Sequence, residues 1–435
     1  MPLMLRTSRV EKSWILYDWA NSAYSIVITT AIFPLFYRSI ASEAIYLASW
    51  AFANSLASGV VAVLAPVLGT VADYPGLKKR LFATFFFLGV ASTLALALVG
   101  VGQWLMAISI YVASVIGFAG ANLFYDAFLV DVASEDRMDR ISSAGFGWGY
   151  IGSTIPFVIG LVLILQHDRL GIPSTAAATR ISFVVTGLWW LGFAIPMLKN
   201  VRQQYSVAPS PTPVRDSFRR IAATLRDIRA HRNIFIFLAA YFFYIEGVNT
   251  VIRMATPIAL SVGIEQNTLL IVLLAIQVVA FPCALLYGRL AARWTGRRMI
   301  FAGIGVYVVV VVLAVALPSV PNPGHRTALF WLLAMLVASS QGGIQALSRS
   351  YLGKIVPKNK SSEFFGFYNI VGKFSAIIGP FFVGLFTLLT GEERYGILSV
   401  LFLFLAGGLI LRRTTPERQL GPERQLGSEA KNGEF

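Results

Sequence analysis

Residues 81–131 read LFATFFFLGVASTLALALVGVGQWLMAISIYVASVIGFAGANLFYDAFLVD, with no charged side chain between Arg80 and Asp126. A bilayer-spanning helix needs roughly 20 apolar residues. This stretch holds two such runs, divided only by the turn at Gly100–Gln103. A helix with no wet face belongs in lipid, because only helices and closed barrels satisfy their own backbone there. The same pattern recurs along the chain and predicts 12 spans, at about 14–38, 45–72, 81–101, 104–131, 142–166, 179–198, 233–260, 268–292, 298–317, 327–353, 363–390 and 395–413. The fold class is an all-α membrane protein.

Lys and Arg orient the spans. One set of connections holds Arg6, Arg9 and Lys12, then Lys78, Lys79 and Arg80, then Arg137 and Arg140. It continues through the central loop to Arg289, Arg293, Arg297 and Arg298, and to Lys354, Lys358 and Lys360. The opposite set holds only Arg38, Arg169, Arg180, Arg326 and Arg394. Both termini are therefore expected in the cytoplasm. The net charge of +15 follows from topology and does not imply nucleic-acid binding. The first span carries Asp18 and Asn21 and does not read as a cleavable signal. With one cysteine, Cys283, and three histidines in connections, neither a disulfide nor a metal cluster is expected. No cofactor is expected, and the sequence holds no nucleotide loop or nucleophile elbow, so no enzyme and no catalytic residue is expected either.

Residues 199–232 divide the spans six and six. Halves are expected at 1–198 and 233–413, with a polar, disordered tail at 414–435. Val207–Pro213 reads as a stiff linker. In the following VRDSFRRIAATLRDIRAHR, Val214, Phe218, Ile221, Leu225 and Ile228 recur at helical spacing among arginines. That pattern suits a basic amphipathic helix lying on an anionic leaflet. Asp18-x-x-Asn21-Ser22 in the first span echoes Glu246-x-x-Asn249-Thr250 in the seventh, as a duplication would.

Between the second and third spans stands Gly69-x-x-x-Asp73-x-x-Gly76-x-Lys78-Lys79-Arg80. It resembles the cytoplasmic signature of the major facilitator transporters, whose plan is also six plus six spans. Asp73 can sit at the positive N-terminus of a facing helix. The resemblance implies a cytoplasmic latch there that breaks on inward opening. After the eighth span the counterpart, Gly288 to Arg298, has Ala292 in place of the Asp and a glycine one place late, at Gly296, so a second latch is expected to be weaker or absent. Tyr17-Asp18-Trp19-Ala20-Asn21-Ser22-Ala23-Tyr24, Phe242–Val248, Gln345–Ser350 and Glu363–Tyr368 narrow the likeness. The chain resembles the "unknown major facilitator" family, which includes the autophagy-related vacuolar amino-acid effluxers. The compact N-terminus resembles the bacterial branch, and so implies a multi-pass bacterial inner-membrane protein.

Ionisable groups inside spans are costly and usually face a cavity or a partner. The candidate substrate and ion cavity comprises Glu246, Asp126, Asp18, Asn21, Tyr24, Asn122, Asn249, Arg253, Gln341, Gln345 and Lys373. Gln341, Gln345 and Arg349 stripe the tenth span at every fourth position. The candidate gate comprises Gly69, Asp73, Gly76, Lys79, Arg80, Asp131, Arg140, Arg349 and Glu363, with Arg349 and Glu363 expected to pair with Asp131 and Arg140. The expected function is secondary transport of a small polar solute, an amino acid or related zwitterion, coupled to a proton or cation through Glu246, Asp126 or Asp18. The expected partners are that solute, the coupling ion and the bilayer, with the protein a monomer. Two rivals are an exporter of lipids or amphiphilic drugs and a receptor that has kept the fold without transport.

Overall fold

The computed structural model describes residues 7–226, 229–374 and 378–415, and every regular element among them is helical. The first span joins α1 (Arg9–Tyr24), a π-helical segment (Ser25–Ala31) and α2 (Ile32–Ile40). The first half continues with α3 (Glu43–Ala72), α4 (Leu77–Ala95), α5 (Trp104–Ala127) with the short α6 (Leu129–Val132), α7 (Glu135–Leu165) and α8 (Thr175–Asn200). The linker carries α9 (Pro213–Arg226). The second half holds α10 (Arg232–Ser261), α11 (Gln266–Trp294), α12 (Gly296–Ala316), α13 (Pro323–Ile355), α14 (Ser361–Phe374), α15 (Ile378–Thr390) and α16 (Glu393–Leu411). Among the described residues, eleven runs are long and apolar enough to cross a membrane, and α14 and the shorter apolar α15 lie where the twelfth span is expected. The tail beyond residue 415 lies outside the described residues, as does Ile228 of the expected linker helix.

The sequence reads as a plain helix through the first span; the structure inserts a π turn. Pro34 has no N–H to offer the Thr30 carbonyl, so the ladder must shift register just before it. The Thr29 and Thr30 hydroxyls both donate to the Ser25 carbonyl, at 2.5 and 2.9 Å.

Large aromatics fill each half. Trp14, Tyr17, Tyr24 and Trp190 are fully buried in the first, and Tyr244, Tyr307 and Tyr351 in the second. Outward-facing Leu88, Leu105, Val312 and Phe402 present apolar surface suited to lipid. The halves meet where α3 packs on α14 and α7 on α11. Small residues permit this closeness. A Cβ on Gly69 would lie 2.3 Å from the Ser362 carbonyl oxygen, and one on Gly366 would lie 2.7 Å from that of Ala65.

The two basic turns differ. Gly76 takes φ +72°, which a glycine adopts without strain. Thr295 stands at the matching place in the second half and takes φ +129°, costly for a β-branched residue. Its hydroxyl caps the next helix by accepting from the Arg298 N–H.

Candidate functional site

The charged residues gather at the end of the bundle that carries the basic turns. Asp73 follows α3 directly and accepts from the first N–H groups of α14: Ser362 to Oδ1 at 2.9 Å and Glu363 to Oδ2 at 3.2 Å. A carboxylate at a helix N-terminus satisfies orphan donors and faces the positive end of the dipole. Burial pushes the Asp73 carboxyl up to about 7, against the opposing pull of Lys78, the Ser362 amide and Arg220. Glu363 is fully buried; its carboxylate accepts from Arg220 Nη2 at 3.0 Å and from the Thr224 hydroxyl at 2.5 Å, both on α9. Arg220 also reaches Asp73, at 3.4 Å. Lys78, fully buried on α4, donates to Asp131 Oδ2 at 2.7 Å and crosses to Ser361 Oγ at 2.9 Å.

Deeper in the bundle, Arg349 of α13 crosses between the halves. Its Nη1 donates to Asp126 at 3.0 Å and its Nη2 to Asp18 at 3.1 Å. Its Nε donates to Ser142 Oγ at 2.9 Å, and the rings of Trp14 and Phe146 lie against the guanidinium. A third crossing joins Lys354 and Ser350 of α13 to Asp139 of α7, each at 2.6 Å.

A cavity of about 400 Å³ lies on the other side of Arg349, between the π segment, α7, α10, α11 and α13. Gln345, one turn from Arg349, lines it with Gln341, Gln277, Ser22, Ser25, Tyr150 and Thr250. Ile26, Val251, Met254, Val272, Leu273 and Val337 supply apolar walls. No acid or base is among its described lining residues.

Of the residues expected in the cavity, then, Gln341 and Gln345 line it. Asp18 and Asp126 are instead held by Arg349, because a buried guanidinium needs acids more than a neutral cavity does. Asn21 donates to Asn122 at 2.8 Å within the first half. Tyr24 bonds Ser114 at 2.7 Å and stacks on Phe118 as part of the core. Glu246 is fully buried and bonds the Gly379 N–H, tying α10 to α15. Asn249 is absent from the described lining, as is the exposed Arg253. The Lys373 side chain lies outside the described residues.

Of the expected gate residues, Gly69, Asp73, Asp131, Arg349 and Glu363 join the crossing network; Asp73 caps the facing helix as expected, while the other three charged residues take other partners than expected. Arg349 takes Asp18 and Asp126, Glu363 takes Arg220, and Asp131 takes Lys78. Arg140 forms no ion pair among the described residues. Lys79 donates to the Val201 carbonyl at 2.6 Å, and Arg80 is exposed. Sequence reasoning missed Lys78, Asp139, Lys354 and Arg220 as gate members. Lys78 carried a signal: it opens the first turn of α4, where its side chain can turn inward beside the apolar Phe82.

Twelve spans in two halves, with a cavity between them and a closure at one end, define a major facilitator transporter. The chain matches the family described as "Vacuole effluxer Atg22 like" over residues 45–419, and belongs to it. The uncharacterized MFS-type transporter YxiO of Bacillus subtilis (strain 168) is 49% identical over 415 residues, covering 94% of this chain and 95% of that protein. Autophagy-related protein 22 of Kluyveromyces lactis is 24% identical over 306 residues; the match covers 64% of this chain and 59% of that protein, so the chain spans under two-thirds of that relative's length. Among solved structures, the human organic anion transporter MFSD10 superimposes with a TM-score of 0.71 at 14% identity, covering 93% of this chain and 99% of that one. The transporter FucP does so at 0.69 and 15%, covering 96% and 99%. These likenesses show the fold.

Proposed function

We propose that this protein is a secondary transporter working by alternating access, with the basic end in the cytoplasm of a bacterial inner membrane and closed in this structure. Its substrate is a small solute of no net charge with an apolar body, foremost an amino acid with an apolar side chain. The uncharged cavity carries this reading. A solute of net charge would enter a space whose described lining offers no counter-charge, at a cost of several kcal/mol. A zwitterion carries its own compensation, and Gln341, Gln345 and Tyr150 offer amide and hydroxyl partners for its two ends. The apolar walls suit the side chain, and about 400 Å³ lies within the range of small-molecule sites. The family's description as effluxers supports export.

The site of proton coupling is the cluster of Asp18, Asp126 and Arg349. Two carboxylates against one guanidinium leave an excess negative charge in a buried place, and one proton removes it. Proton uptake there would weaken the hold on Arg349, which is what opening of that end requires. The test is transport in proteoliposomes under an imposed pH gradient. Neutral aliphatic amino acids should be carried, and Asp126→Asn should abolish gradient-driven flux while sparing exchange. Flux of amphiphilic cations or lysolipids with none of amino acids would instead support the amphiphile exporter, which the apolar walls also fit. No flux of any solute would leave the non-transporting receptor.

A further inference from the structure

The linker helix α9 has two working faces. Its inner face, Ser217, Arg220 and Thr224, docks against the ends of α3 and α14. Ser217 and Thr224 are buried, and Arg220 and Thr224 hold Glu363. Sequence periodicity alone assigns the basic face to lipid, but Arg220 is instead committed to the gate. What remains outside is an apolar strip beside a basic rim. Val214, Phe218 and Leu225 are 55%, 58% and 46% exposed, and they share one flank at helical spacing. Arg215, Arg219 and Arg226 follow on the adjoining flank, all exposed.

The chain before α9 fixes its height. The Gln204 and Tyr205 N–H groups donate to Asp131, at 2.7 and 3.1 Å, and the Val207 N–H donates to the Asp73 carbonyl at 2.9 Å. The linker is thereby laced to the ends of α3 and α6, where a spanning bundle meets headgroups. An exposed apolar strip with an arginine rim at that level matches the chemistry of an interfacial helix.

We propose that the outer face of α9 seats on anionic lipid headgroups while its inner face bolts the two halves, so that acidic lipid strengthens the closure of the basic end. This rests on the membrane fold and the gate geometry and is independent of the substrate. Phe218, Val214 and Leu225 enter the headgroup boundary, and the three arginines meet lipid phosphates. Since both faces belong to one helix, lipid that holds the outer face also holds Arg220 between Asp73 and Glu363.

The test uses the full chain with Cys283→Ala and Ala222→Cys, the latter an exposed position between strip and rim, labelled with an environment-sensitive fluorophore. The protein is placed in nanodiscs of phosphatidylcholine alone, or with about a third of the lipid replaced by phosphatidylglycerol, and quenched by brominated lipid. Quenching should be at least about twofold stronger with the anionic lipid, and Arg215→Gln, Arg219→Gln and Arg226→Gln together should remove that difference, as should high salt. In parallel, a cross-link between the ends of α3 and α14 should form faster in the anionic discs, and Arg220→Gln should erase this gain while leaving the quenching intact. Equal quenching in both lipids, or none in either, would overturn the proposal. So would a cross-linking rate indifferent to lipid. A protein partner seated on this face would show itself as a label that brominated lipid does not quench and whose emission shifts only when cell extract is added, and would equally overturn it.

Discussion

The turn after α3 and the turn after α11 stand at matching places in the two halves, and they have diverged. In the first, Gly76 takes a left-handed conformation freely, and Asp73 caps α14 across the interface. In the second, Thr295 is held at φ +129° and Ala292 stands where the acid would be. The second junction closes by other means, through Asp139 with Lys354 and Ser350. A repeated scaffold can thus keep its backbone course while the attachment moves to different residues. An asymmetric pair of latches also lets one side release before the other.

Arg349 lies between the two junctions, and removing it should have the largest effect. Arg349→Met strands Asp18 and Asp126 as buried acids, and loss of one partner of a buried pair typically costs ~3–5 kcal/mol. Thermal unfolding of the purified protein should show it, and an unchanged midpoint would mean that the triad carries little. Next come the two sides of the first turn. Asp73→Ala should cost about 1–3 kcal/mol by leaving the Ser362 and Glu363 N–H groups unsatisfied, whereas Ala292→Gly in the second turn should cost under about 1 kcal/mol. Gly69→Ala should cost about 1–3 kcal/mol in the closed form alone, since its methyl would meet the Ser362 carbonyl.

The pH dependence sharpens the contrast. Burial raises Asp73 from 3.8 to about 7, so between those values the closed form holds a proton that the open or unfolded form has released. The contribution of this group is full below about 4 and is lost as the pH rises past about 7. Closure should therefore loosen as the pH rises from about 4 to about 7 in the native protein, with no further change from this group above that, and Asp73→Asn should remove that component. The last contrast concerns backbone strain. Thr295→Gly should stabilise by no more than about 1 kcal/mol, as relief of strain is offset by the lost cap and by glycine's greater freedom when unfolded, while Gly76→Ala should destabilise by about 1–2 kcal/mol.

The spans were legible because hydropathy is a local property, and the fit of Asp73 to a helix N-terminus was legible because a short motif encodes it. The π turn was foreshadowed only by Pro34. Partners across the halves were not legible, since nothing local tells Arg349 that Asp18 and Asp126 will face it across more than 200 positions. Intramembrane charge pointed correctly to costly groups but misplaced them. A buried acid can accept from a backbone N–H, as Glu246 Oε1 does at Gly379, or from a guanidinium, as Asp126 does, and so lie away from the cavity lining. Arg220 was misread for a similar reason. Amphipathicity divides a helix into faces but does not say which of its arginines turns toward protein.

The central claim is that crossing charges hold the halves together at the basic end. Pulsed dipolar distances between spin labels at Arg80→Cys and Arg298→Cys, in a Cys283→Ala background, test it most directly, because both sites are exposed and lie in opposite halves. The account predicts one narrow distribution for this protein and a longer, broader one when Arg349→Met is added. An unchanged narrow distribution in that variant would contradict it.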